Sequence, residues 1–214
     1  MQILHHGAVN GVTGSCHELV INEQTSVLVD CGLFQGEDSK ADLPIEFNIT
    51  HVTALIVTHC HIDHVGRIPY LLAAGFKGPI FTSIASASLL PLVIEDALKV
   101  GVTRDPKIIA ACLSLLNKRI VAVDYKTWFE LPCKGLNKAK ARFQRAGHIL
   151  GSAYVEIDVT KNDNNKHRVV FSGDLGAPYT PLLPSPKPPY KADTLVIEST
   201  YGDKNHQGRK ERTK

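Results

Sequence analysis

No stretch of the 214-residue chain stays apolar over the ~20 residues needed to cross a bilayer. The N-terminus has no basic run followed by an apolar segment. The expectation is a cytoplasmic protein with no membrane partner. Cysteine is sparse: Cys16, Cys31, Cys60, Cys112 and Cys133 make an odd count, and no two stand in CxxC spacing. Neither a disulfide framework nor a cysteine-based zinc site is expected, and Cys31 and Cys60 read as small buried fillers. There is no internal repeat. Charge of one sign is also lacking. The net of +3 is less than that of the last eleven residues, where Lys204, Arg209, Lys210, Arg212 and Lys214 face only Glu211. The body is therefore slightly acidic and is not a basic nucleic-acid saddle. The basic end reads either as a solvated tail or as a phosphate-contacting edge.

A chain of this length supports one domain with a sizeable core. Short β-rich runs lie at Met1–Leu4, Cys16–Ile21, Ser26–Val29, Ala54–Thr58, Pro79–Phe81, Arg119–Val123, Ala141–Arg145, Ala153–Val159, Arg168–Phe171 and Thr194–Ile197. Helical periodicity marks His64–Ala74, Ser86–Val100 and Lys107–Asn117. The mixture gives an α/β class with helices outside packed sheets. Six prolines between Ala177 and Pro189 exclude helix and central strand there, so a stiff surface loop is expected.

The sharpest feature is His59-Cys60-His61-Ile62-Asp63-His64. Three imidazoles and a carboxylate, all zinc-ligand types, follow the strand-like Ala54–Thr58 and precede a helix. On extended backbone His59 and His61 point the same way, while Asp63 and His64 turn into the helix start. Four more polar residues follow strand-like runs and sit among small neighbours: Asp30, His148 in Gly147–Ser152, Asp174 in Ser172–Gly176, and Glu198 before Ser199. Singly each has an ordinary reading: a turn cap for Asp30, a core imidazole for His148, an Asx turn for Asp174, a solvated carboxylate for Glu198. If the preceding strands are parallel neighbours, all gather at one sheet edge, where ligand sites of open α/β sheets lie.

These segments, with Gly11–Ser15 and Val29–Gly36, make the sequence resemble the metallo-β-lactamase superfamily. The run Glu198-Ser199-Thr200-Tyr201-Gly202-Asp203 narrows the resemblance to its β-CASP group of RNA- and DNA-processing nucleases. The resemblance implies an αββα sandwich, C-terminally truncated, with a metallo-β-lactamase domain over residues 1–203. Residues 204–214 would then be a basic tail opening an absent nucleic-acid-clamping insertion. It implies two zinc ions: His59, His61 and His148 on the first, Asp63 and His64 on the second, and Asp174 bridging. Asp30 would orient a ligand imidazole. Glu198 would brace a catalytic histidine. Two further histidines are expected beyond Glu198, and His206, the one present, is a substrate-binding candidate. The function implied is phosphodiester hydrolysis of RNA or single-stranded nucleic acid. A small-substrate thioesterase or lactonase, or a non-catalytic scaffold of the same fold, are the rivals. Oligomeric state is not legible.

Overall fold

The structure, a computed structural model, describes residues 1–36, 44–135, 137–161, 164–178 and 180–204. Strands β1 (Gln2–His5), β2 (His17–Asn22) and β3 (Thr25–Val29) form an antiparallel meander. Strands β4 (Val52–Ile56), β5 (Ile80–Ser83) and β6 (Ile120–Val123) then add in parallel, giving a six-stranded sheet in sequence order. Every residue of β3 and β5 is buried, because both faces of this sheet are covered; that is why these runs show no polar alternation.

A five-stranded sheet holds β7 (Phe129–Leu131), β8 (Lys138–Arg145), β9 (Ala153–Thr160), β10 (Lys166–Phe171) and β11 (Thr194–Val196), in the order β11-β10-β9-β8-β7. Strand β8 alternates as a one-sided strand should: Ala139, Ala141 and Phe143 are buried, while Lys138, Lys140, Arg142 and Gln144 are not. Its inner face meets the first sheet, Phe143, Val155, Ile157 and Phe171 packing with Val27, Val29, Ala54 and Ile56.

Helices α1 (Ile62–Val65), α2 (Ile68–Ala73), α3 (Ile84–Gly101) and α4 (Pro106–Asn117) cover the other face of the six-stranded sheet. There Leu28, Leu55 and Val57 pack with Val65, Leu71, Leu90, Ile94 and Leu116. Cys16, Cys31 and Cys60 are buried in this cluster, and all five cysteines are free. The protein is α/β, and among the described residues three layers of the αββα sandwich are present. The outer face of the five-stranded sheet carries polar ladders instead of helices: Arg142 pairs with Glu156, and Arg168 with Asp158. No helix is long and apolar enough to cross a membrane among these residues.

The expected helix His64–Ala74 is two short ones. Gly66 ends α1, and Arg67 leaves helical register because its amide donates to the Cys31 carbonyl and its Nε to the Gly32 carbonyl. Strand β7 was not expected; three residues carry too little periodicity to be read. The proline segment has neither helix nor strand at its described positions, and Tyr154 fixes it by donating its hydroxyl to the Lys187 carbonyl at 2.9 Å.

Candidate metal centre

Parallel pairing of β3 with β4 places their C-terminal ends side by side, so Asp30 lies against Thr58. Asp30 adopts φ 61°, rare for a residue with a Cβ. Its carboxylate holds it there: Oδ1 accepts from the Thr58 amide at 2.8 Å, and Oδ2 accepts from the Thr58 hydroxyl and from His64 Nδ1, both at 2.7 Å. His59 follows Thr58 and is fully buried; His61 and the start of α1 come next. The first turn of α1 thus hangs from the end of β3 through His64.

The other groups come from the second sheet. Strands β8 and β10 both run antiparallel to β9, so their C-terminal ends point the same way. Past β8, Gly147 at φ 70° turns the chain into His148, whose amide donates to Ser152 Oγ at 3.0 Å. Past β10, Gly173 at φ 50° turns it into Asp174; a Cβ at Gly173 would stand 2.8 Å from the Thr58 side chain. A Cβ at Gly176 would strike the Gly147 carbonyl. These glycines let the two loops of the second sheet close onto the end of β4. The groups therefore do not share one sheet edge. They meet where the ends of two sheets face each other.

Among the described residues, His59, His61, His148 and Asp174 each offer a ligand atom within 4.8 Å of all the others. His59 Nε2 and His148 Nε2 lie 3.2 and 3.0 Å from His61 Nδ1. Asp174 Oδ2 lies 3.7 Å from His59 Nε2 and 3.5 Å from His148 Nε2. Ligands at about 2.0–2.1 Å from a tetrahedral ion stand roughly 3.3–3.4 Å apart. These four spacings lie close to that value and all four atoms fall within 4.8 Å of one another, so the residues fit a divalent cation.

Asp63 and His64 lie beside this group. His64 Nε2 is 3.1 Å from Asp174 Oδ1 and 3.9 Å from Asp63 Oδ2. The electrostatics divide the site. Burial, reinforced by the charge of His64, lowers the pKa of His59 to about 2. Burial, then His148, lowers that of His61. Both stay neutral and keep a lone pair for a metal. For His64, burial alone would lower the pKa, but the Asp30 charge and hydrogen bonds to Asp174 and Asp30 outweigh it and raise the value to about 10. Burial likewise opposes ionisation of Asp174, yet the bond and charge of His64 bring its pKa down to about 2. Three imidazoles and a carboxylate thus converge on one place suited to a cation, with His64 and Asp63 beside it.

The further histidine that Glu198 is expected to brace has no counterpart among the described residues. Glu198 Oε1 accepts from the Leu175 amide at 2.6 Å, and its own amide donates to Ser172 Oγ at 2.9 Å. His206 lies outside the described residues. Thr58 and Ser152, which hold Asp30 and the His148 amide, carried no signal of their own in the sequence beyond their place beside the motif residues. Next to His64 and Asp174 opens a cavity of about 300 Å³. Its far wall carries His17, whose Nδ1 is 2.8 Å from His5 Nδ1; isolated histidines on a strand gave no reason to single these out.

Residues 11–101 match the sequence profile of the metallo-beta-lactamase superfamily. The chain is 38% identical over 210 residues to Ribonuclease TTHA0252 of Thermus thermophilus, covering 97% of this chain and 45% of that protein. It is 30% identical over 206 residues to Transcription termination factor FttA of Methanosarcina mazei, covering 93% and 31%. To Endoribonuclease YSH1 of Yarrowia lipolytica it is 30% identical over 213 residues, covering 96% and 24%. The chain spans less than half the length of each of these relatives.

Proposed function

We propose, from the premise that this chain carries a metallo-β-lactamase domain, that it supplies the metal-binding part of a zinc-dependent phosphodiesterase acting on RNA. One observation carries the reading: four ligand atoms from the ends of two sheets converge within 4.8 Å of one another. The relatives named as ribonucleases and endoribonucleases support RNA as the substrate class.

In this reading His59, His61, His148 and Asp174 hold the first zinc, and Asp63 and His64 share a second with Asp174. Zinc bound there supplies a water of pKa near 7 and neutralises charge developing on phosphoryl oxygens. The chain's own residues prepare the site. Burial keeps His59 unprotonated at neutral pH. Asp30 fixes the His64 ring through Nδ1, which leaves Nε2 facing Asp174. Asp174 turns Oδ1 toward His64 and Oδ2 toward His59 and His148, so it would be available to both metal positions.

Elemental analysis of purified protein after graded chelator treatment tests this. One zinc per chain should persist and a second should leave early, because the second has to displace the His64 proton. His61→Ala should abolish the tight zinc, since two imidazoles and a carboxylate remain. A wild-type protein without zinc affinity, or His61→Ala with unchanged zinc content, overturns the assignment.

A further inference from the structure

We infer that Glu198 is a positioning residue for Asp174, acting through the backbone of the loop that presents it; the inference rests on the metal reading above. The loop 172–176 leaves β10 with few constraints of its own. Its first residue, Ser172, is tied to β11 by the bond from its amide to the Val196 carbonyl at 2.9 Å. Ser172 Oγ donates to the Gly173 carbonyl at 2.7 Å and accepts from the Glu198 amide at 2.9 Å. Beyond Asp174, the Leu175 amide donates to Glu198 Oε1 at 2.6 Å, and the Gly176 amide donates to the Ala146 carbonyl at 2.8 Å.

Glu198 therefore grips the loop on both sides of Asp174, with its main chain before and its carboxylate after. Gly173, at φ 50° against Thr58, leaves the peptide before Asp174 without side-chain bulk to fix it. The bond to Leu175, at 2.6 Å, is the shorter of the two grips. It sets the height of Asp174 between His64 and the three imidazoles. Release of the Leu175 amide frees Asp174 to move away from a position where its two oxygens serve opposite sides.

The role belongs to the acceptor oxygen and not to the net charge, and this makes it testable with two variants. Glu198→Gln keeps an oxygen for the Leu175 amide; Glu198→Ala removes it. Amide hydrogen exchange at Leu175 is measured in chelated protein, and zinc affinity by competition against a chromophoric chelator. In Glu198→Ala, Leu175 exchange should accelerate and zinc affinity should fall about ten- to a hundred-fold, the usual cost of losing a group that orients a ligand. Glu198→Gln should restore both, and the melting temperature of the chelated proteins should stay close to wild type. Unchanged Leu175 exchange in Glu198→Ala, unchanged zinc affinity in that variant, or a Glu198→Gln as weak as Glu198→Ala each overturns the inference. A wild-type protein that takes up no zinc instead overturns the metal reading on which it stands.

Discussion

His17 refuses a proton that it accepts in the unfolded chain, and this has a measurable consequence for stability. Its ring stacks on Phe171 with centroids 6.1 Å apart, and burial, reinforced by the charges of His5, His64 and His6 against the pull of Asp30, lowers its pKa from 6.5 to about 4. Above pH 6.5 both states leave His17 neutral and nothing is lost. As pH falls, the unfolded chain gains a proton that the folded chain does not, so stability drops through this window and the full loss is reached below pH 4. Between about pH 7 and about pH 4.5 the loss from this one group is roughly 2 kcal/mol, allowing for its partial exposure. His17→Gln removes the titration. Urea unfolding of chelated wild-type and His17→Gln protein at the two pH values gives four free energies. His59 titrates in the same direction but is present in both proteins and cancels in the comparison. The variant's loss on acidification should be smaller by roughly 2 kcal/mol. Equal losses in the two proteins would show that His17 is not shielded from protons by the fold.

Phe143 is fully buried between the two sheets, its ring 5.4 Å from that of Phe129. Phe143→Ala should cost about 3–5 kcal/mol in urea unfolding, and a cost under about 1 kcal/mol would mean that the sheets can close over the vacated space. Gly173→Ala places a Cβ 2.8 Å from Thr58 on a left-handed backbone. It should displace Asp174 and weaken zinc binding in chelator competition, while Gly36→Ala, in open space at φ 66°, should leave zinc affinity at the wild-type level.

Most strands were legible because each is an apolar run ended by glycine or a polar residue, and the elements that follow such a pattern need no distant partner to be recognised. What could not be read depends on distant partners. Arg67 breaks the helix after α1 because residues 31 and 32 offer it carbonyls, and nothing within residues 62–74 announces that. The partition of strands into two sheets was likewise hidden. Strands β8 and β10 carry the same kind of terminal residue as β3 and β4, yet β9 holds them in a separate sheet. At the site, residue type and spacing marked His59 and His61, whereas His148 and Asp174, each with an ordinary reading taken singly, entered through their shared placement and the family resemblance. The carboxylate of Glu198 has no such signature. Its bond to the Leu175 amide depends on how the loop after β10 lies against the end of β11, which residue type alone does not carry.

The charge pattern of the centre ties its two carboxylates to a single imidazole. Asp30 is almost wholly buried and Asp174 partly so. A buried carboxylate without a counter-charge is costly. His64, protonated between them, serves both: Nδ1 meets Asp30 at 2.7 Å and Nε2 meets Asp174 at 3.1 Å. One imidazolium offsets part of the charge of the two carboxylates, and burial leaves His59 and His61 uncharged. The strand ends, the close-packed glycines and the Asp30–His64–Asp174 chain hold the donors in place, so metal affinity should depend on these supporting contacts as well as on the ligands themselves.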